Sequence, residues 1–311
     1  MNEFELIARL TKSLPTNQFV VAGAGDDCAI LDIGLPDQWL LFKTDAIVEG
    51  IHFTKDTAPV KIGHKALARG LSDIAAMAGK PTAALVTIAL PEKFDVAFVE
   101  AIYEGLNRLA GKLGVAIVGG ETTMNPERIL ISIALLGLVP RGKVLLRSGA
   151  KIGDAIFVTG ELGGSLAGRH LDFEPRLAEA HWLAENFPIH AMMDISDGLA
   201  GDLRHILKAS QTGAELLRSA IPISRAAKLR AKERSPAAKS PLLAALTDGE
   251  DFELLFTVAG ADAVKLLDAW KMHFPELKLS CIGKIVRDEG ISIRDKNGVQ
   301  LLTANGYIHF S

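Results

Sequence analysis

At 311 residues the chain is long for a single hydrophobic core and predicts two domains. A net charge of −3 with 49% apolar residues excludes an electrostatic footprint for nucleic acid and fits an α/β protein packed with aliphatic side chains. Two cysteines, Cys28 and Cys281, exclude a zinc site or a disulfide framework, and no apolar run is long enough to span a bilayer.

The N-terminal MNEFELIARLTKSL is amphipathic and carries acids where a secretory signal needs a basic start, so a cytoplasmic protein is expected. A Gly-flanked acidic turn, GAGDDCA, comes next, and 39–45 (WLLFKTD) reads as a strand that ends at Asp45. A helix is predicted over 61–78 and a strand over 82–90. Apolar spacing at Val96, Val99, Ile102, Leu106 and Leu109 predicts a helix over 95–113. Strands follow at 115–118 and 129–139, before Pro140-Arg141-Gly142 opens a crossing linker that runs to Gly153.

The second half resumes with a strand at 155–159, the flexible GELGGS, a helix at 176–185 and a strand at 191–194. Asp197 is placed to cap a helix at 199–209. The basic stretch 224–240 lacks interleaved aromatics and reads as a solvated helix and loop. A strand at 252–258, a helix at 261–272 and short C-terminal strands complete the pattern. The fold class is therefore α/β (α+β), with one domain at 1–139 and another at 140–311, each a sheet with helices.

The chemistry lies in scattered acids. Asp27, Asp45, Asp73, Glu121, Asp194 and Asp197 close or interrupt apolar segments, mostly with no Lys or Arg beside them in sequence. Buried unpaired carboxylates are costly, and several converging oxygen ligands without His or Cys point to Mg²⁺. Asp73 carries the sharpest local case. Leu67, Leu71 and Ile74 form one apolar helix face, while Ala66, Gly70 and Met77 share a second face with Asp73 and leave room for a ligand. The alternative is a carboxylate bonded to a nearby amide.

Other elements stay two-sided. Asp26-Asp27 is either a tight turn or a metal site, because adjacent carboxylates tolerate each other best around a cation. Thr44-Asp45 sets a hydroxyl beside a carboxylate at an expected strand end. Gly119-Gly120-Glu121 is either a glycine turn or a set of amides and a carboxylate suited to a metal-bridged phosphate. Asp194-Ile195-Ser196-Asp197 stands at a strand end and helix start, where amides favour anions. Arg147 is either a phosphate clamp or a surface ion-pair partner. His52 follows an acidic strand, although a lone His is more often structural. Gly249-Glu250-Asp251 adds further acid. There is no GxxxxGK[ST] loop, no GxGxxG and no HRD/DFG pair, so any ATP is handled by carboxylates and metal.

In order, GDDCAIL, KTDAIVEGIHF, LSDIAAMAGKP, VGGETT, LRSGAKIGD, DISDGLAGDL and DGEDFELLFT resemble the thiamine-monophosphate kinase family. That family is a branch of the ATP-binding superfamily of aminoimidazole ribonucleotide synthetase. The resemblance implies ATP-dependent phosphorylation of thiamine monophosphate. It implies metal ligands at Asp27, Thr44, Asp45, Asp73, Glu121, Asp194 and Asp197, and ATP contacts at Gly120, Glu121, Arg147 and Ser196. Asp45, Asp73 and Arg147 would serve the transfer, and His52, Glu250 and Tyr307 would meet the acceptor. It also implies a homodimer whose N-terminal domains share a β-barrel, with the C-terminal domains, each a sheet covered by helices, flanking it. The chain departs from the family in having Glu121 for Asp, Asp248 for Gly, a shorter segment between Gly168 and Met192, and a YIHF ending. Those departures keep open a cyclo-ligase-like activity or a nucleotide-binding paralogue without turnover.

Overall fold

The structure is a computed structural model that describes residues 3–233, 239–304 and 306–307. The chain separates into two compact units, Asn17–Val144 with Leu171–Ala178, and Leu145–His170 with Glu179–Ser311 and Met1–Thr16. Among the described residues, no helix is long and apolar enough to cross a membrane. An N-terminal helix, α1 (Glu3–Thr11), belongs to the second unit.

The first unit holds β1 (Val20–Ala22), β2 (Ala29–Leu31), β3 (Gln38–Val48), α2 (Pro59–Ala76), β4 (Lys80–Leu90), α3 (Val96–Leu113), β5 (Ala116–Met124) and β6 (Leu130–Pro140). Its sheet runs β1-β2-β3-β6-β4-β5, antiparallel throughout except for β4 with β5. Strict alternation makes it two-faced. Leu41, Ile47, Val86, Ile88, Ile131 and Ile133 are buried, while their neighbours Phe42 and Leu85 are exposed. The buried face is covered by α2.

Local chemistry sets the helix ends. Pro59 opens α2, and the Asp95 carboxylate accepts the Ala97 N–H to cap α3. Gly114, at φ 68°, ends α3 in the left-handed conformation. Helices α2 and α3 cross at Gly63 and Gly105. A Cβ on either glycine would lie 1.9 Å from a carbonyl oxygen of the other helix. Backbones touch there, so nothing larger than Gly fits.

The second unit holds β7 (Asp154–Thr159), α4 (Leu177–Asn186, begun in the first unit), β8 (Ile189–Asp194), α5 (Leu199–Ser210), β9 (Gly213–Leu217), α6 (Arg225–Arg230), α7 (Pro241–Thr247), β10 (Leu254–Ala259), α8 (Ala263–His273), β11 (Leu279–Val286), β12 (Gly290–Asp295) and β13 (Gly298–Leu301). Its order is β13-β12-β9-β11-β7-β10-β8, with only β9 and β12 parallel. Both β7 and β8 run antiparallel to β10, so their C-terminal ends and the start of β10 share one end of the sheet. The core includes Ile156, Val158, Met193, Leu203, Ile206, Leu255 and Ile282.

The mixed α/β class with two mixed sheets agrees with the sequence reading, and three local features differ. Strand β3 continues to Val48, so Asp45 lies inside the strand instead of ending it. Gly119-Gly120-Glu121 is part of β5 and not a turn, with a register shift between Ala84 and Leu85 on its partner strand. The cap of α5 is Gly198, without a side-chain bond, so Asp197 does not cap it. Residues 234–238 of the basic stretch and 308–310 of the closing motif lie outside the described residues.

Candidate active site

In the first unit, two buried acids come together. Asp27 follows β1, Asp73 sits near the end of α2, and a carboxylate oxygen of each lies within 4.8 Å of the other. The sequence suggests acids without cationic neighbours, but the fold supplies cations across elements. Lys43 on β3 reaches Asp73 at 2.9 Å, and Arg69 on α2 reaches Asp45 at 2.9 Å. Burial pulls the Lys43 ammonium down, but Asp73 and then Asp45 outweigh it and hold its pKa above the ordinary lysine value. Lys43 thus links Asp73 and Asp45 electrostatically. Linear sequence hides this because Lys43 and Asp73 are thirty residues apart.

Cys28 is buried beside these acids. Burial, then the charge of Asp73, pushes its thiol well above the usual value, so it stays protonated. The donors on offer are therefore carboxylate oxygens, a set that fits a hard divalent cation such as Mg²⁺.

Not every expected ligand joins this group. Asp45 stands in a cross-strand row with Ile133, Val86 and Gly120. Strands β3 and β5 are separated by β6 and β4, about 14 Å at the usual strand spacing, so Asp45 and Glu121 cannot grip one ion within a single copy. Glu121 is exposed and pairs in register with Thr87. Thr44 is exposed, with its hydroxyl 3.4 Å from that of Ser132. Gly120 is sterically required: a Cβ there would lie 1.8 Å from the Val86 carbonyl oxygen.

His52 lies in the turn after β3. The Val48 N–H donates to its Nδ1 at 3.1 Å, which leaves the proton on Nε2. Fully buried Lys65 donates to the His52 carbonyl at 2.7 Å and pins the turn.

In the second unit, four expected residues meet through the backbone. The Glu250 N–H donates to the Ser196 carbonyl at 2.6 Å, and the Tyr307 N–H donates to the Asp197 carbonyl at 2.7 Å. Asp194, buried at the end of β8, and Asp197 share an electrostatic cluster with Arg147 and Asp202. Asp202 is absent from the sequence-derived set. Its carboxylate accepts the Asp197 N–H at 3.1 Å, reversing the expected capping arrangement. Burial, then Asp197 and Asp194, raise its pKa well above the carboxylate range, against the pull of the Asp197 N–H and Arg147. Its spacing on the apolar face of α5, beside Leu199, Leu203 and Ile206, was the available signal.

Asp248, one of the departures from the family pattern, has a structural role. It is buried, pairs with Arg230 and with Lys239 at 3.0 Å, and accepts the Gly164 N–H.

Two domain models of the AIR synthase related proteins match the chain, N-terminal over residues 25–139 and C-terminal over 151–296, and the chain belongs to that family. Within it, relatives matched over most of their length include thiamine-monophosphate kinases. The one from Rhodopirellula baltica is 40% identical, covering 90% of this chain and 87% of its own. That from Escherichia coli K12 is 36% identical over 99% and 98%. A solved structure, AaThiL complexed with AMPPCP and TMP, is 30% identical with a TM-score of 0.81, covering 99% and 97% of the two chains.

Proposed function

We propose that this protein transfers the γ-phosphoryl group of ATP to thiamine monophosphate, giving ADP and thiamine diphosphate. The observation that carries the reading is the approach of two buried carboxylates, Asp27 and Asp73, in a chain whose relatives carry that activity in their names. The solved relative holds an ATP analogue together with TMP.

In this reading a terminal phosphate oxygen of the acceptor forms a bond to the γ-phosphorus in line as the bond to the β-phosphate oxygen breaks. The acceptor phosphate is already ionised near neutral pH, so no general base is assigned. Both reactants are anionic, and positioning with charge neutralisation dominates. Bound Mg²⁺ would neutralise phosphate charge. Asp27, Asp45 and Asp73 would hold it in the first unit, and Asp194 and Asp197 carry the same assignment in the second. Thr44 and Glu121 would serve separate ions, since Glu121 lies too far across the sheet from Asp45 to share one. Arg147 would fork onto phosphate oxygens, while Gly120, Glu121 and Ser196 hold ATP. His52 would offer its Nε2–H, and Glu250 and Tyr307 would meet the acceptor.

Residues 1–139 are assigned to nucleotide, metal and dimer contacts, and 140–311 to the flanking domain. A homodimer in the cytoplasm is part of the reading. The sheet face of the first unit that carries exposed Phe42 and Leu85 supports it, because a soluble protein rarely leaves such a face bare. The test is ADP release by the purified protein across a panel of phosphorylated acceptors. Release that needs both Mg²⁺ and thiamine monophosphate is expected. ATP binding without release would identify a non-catalytic paralogue, and release with another acceptor alone would identify a different branch.

A further inference from the structure

The loop 248–253 is held in an unusual conformation. Gly249, Glu250 and Phe252 have φ of 71°, 54° and 50°, and left-handed backbone is costly for residues other than Gly. Something must over-determine it. Part of the restraint is backbone pairing with the segment after β8. Besides the Glu250 bond to Ser196, the Phe252 N–H donates to the Ile195 carbonyl at 2.7 Å, and the Ile195 N–H donates to the Glu253 carbonyl at 2.8 Å.

The rest is a buried charge network. Asp251 and Glu253 are each only 1% exposed, on either side of Phe252. Asp251 accepts the Gly163 N–H at 2.8 Å, and Glu253 accepts the Thr159 hydroxyl at 2.8 Å. One guanidinium bridges them: Arg169 reaches Asp251 at 3.1 Å and Glu253 at 2.8 Å. A third N–H···O bond joins Arg169 to the Glu161 carbonyl at 3.2 Å. Burial raises the Asp251 carboxyl to about 7 even with the Gly163 N–H and Arg169 pulling it down. Without the guanidinium, two carboxylates would share a dry site, and either one takes up a proton or the loop loosens.

We propose that Arg169 is a positioning residue for the acceptor: by bridging Asp251 and Glu253 it fixes the backbone of Glu250. The inference rests on the assignment of Glu250 to the acceptor, and it adds a residue that contacts no substrate. An arginine is needed because its planar fork can serve two carboxylates at once, whereas a lysine ammonium is a point charge.

The experiment compares the full-length Arg169→Met, Arg169→Lys and Glu250→Gln proteins with wild type, measuring KM for thiamine monophosphate, KM for ATP and melting temperature. Arg169→Met is expected to raise the acceptor KM roughly ten-fold, the equivalent of one charge-assisted hydrogen bond, and to leave the ATP KM within about two-fold. Arg169→Lys should fold like wild type and recover only part of the acceptor KM. It carries the test if the Met variant does not fold. Glu250→Gln should also raise the acceptor KM. If Glu250→Gln does so while both Arg169 variants keep the wild-type value, positioning by Arg169 is wrong and the site assignment stands. If Glu250→Gln has no effect, the assignment of Glu250 fails and takes the inference with it. A loss shared equally by both substrates and tracking melting temperature would reduce Arg169 to a stability role.

Discussion

Lys43 Nζ lies 2.9 Å from Asp73 Oδ1, so a carboxylate expected to hold a cation already faces one from the neighbouring strand. The ion pair gives Asp73 two separable roles, one in stability and one in phosphate chemistry. Asp73→Asn should abolish ADP release, a loss on the order of 100-fold or more. It should also cost about 3 kcal/mol of stability, because Lys43 is left partly buried without its partner. In the double variant Lys43→Met/Asp73→Asn the melting temperature should recover and the activity should not. Recovery of both would show that Asp73 only neutralises Lys43.

Gly120 offers a steric test of the β4–β5 junction. Its Cβ would lie 1.8 Å from the Val86 carbonyl oxygen, which is backbone and cannot swing away. Gly120→Ala should therefore lower the urea midpoint strongly or prevent folding. Gly111, on α3, has nothing within 4 Å of a built Cβ. Gly111→Ala should raise stability by about 0.5–1 kcal/mol, the helix propensity gain alone. Equal effects from the two substitutions would show that the close approach is absent.

Asp248 is the departure whose structural reason is plainest, since it gathers Arg230, Lys239 and the Gly164 N–H. Asp248→Asn removes the charge from a site enclosed by two cations. A loss of roughly 1–2 kcal/mol in urea unfolding is expected, less than for a fully buried pair because Arg230 and Lys239 are 30% and 41% exposed. An unchanged midpoint would mean that the pairs contribute nothing and that the acid is incidental.

His205 sets an acid limit. Burial, followed by repulsion from Arg147 and Lys208, lowers its pKa to about 4 from an ordinary 6.5. For a depressed pKa, the stability is fully present above 6.5 and is lost as pH falls towards 4, because the unfolded chain takes up the proton first. Asp251 works in the opposite sense. Its raised pKa gives stability that is lost as pH climbs towards about 7, so the raw pH profile mixes the two. Comparing His205→Gln with wild type isolates the histidine. Between pH 7 and pH 4 wild type should lose roughly 3 kcal/mol more than the variant. Parallel profiles would place His205 in solvent.

Periodicity found most of the frame. The helix 95–113 and the strand 129–139 lie within a residue of α3 and β6, because apolar spacing and an Asp cap are local signals. What escaped was tertiary. Strands β1 and β2 are three residues each and too short for alternation to register. Glycines 119 and 120 left a turn open as one of two readings, because the register shift that admits them depends on the neighbouring strand β4. Among the acids, Asp27 and Asp73 do converge, but Lys43 and Arg69 were invisible as partners because the chain brings them in from other elements. Arg169 gave no sequence signal at all. Its meaning comes from two carboxylates more than eighty residues away.

The sheet face opposite α2 makes the last prediction. Phe42 and Leu85 are each 46% exposed there, while Ile47 and Val86 on the other face are buried. The register aligns Phe42 with Leu136, and Leu85 with Ala134, so an apolar patch spans β3, β6 and β4, bordered on the same face by Thr44, Ser132 and Glu121. Burying an aromatic side chain at an isologous contact counts twice, once for each copy. Phe42→Glu should consequently shift sedimentation from dimer to monomer without altering the core, since the position faces away from α2. A monomer in the wild-type protein at micromolar concentration would refute the dimer directly. A Phe42→Glu dimer would move the interface to another surface.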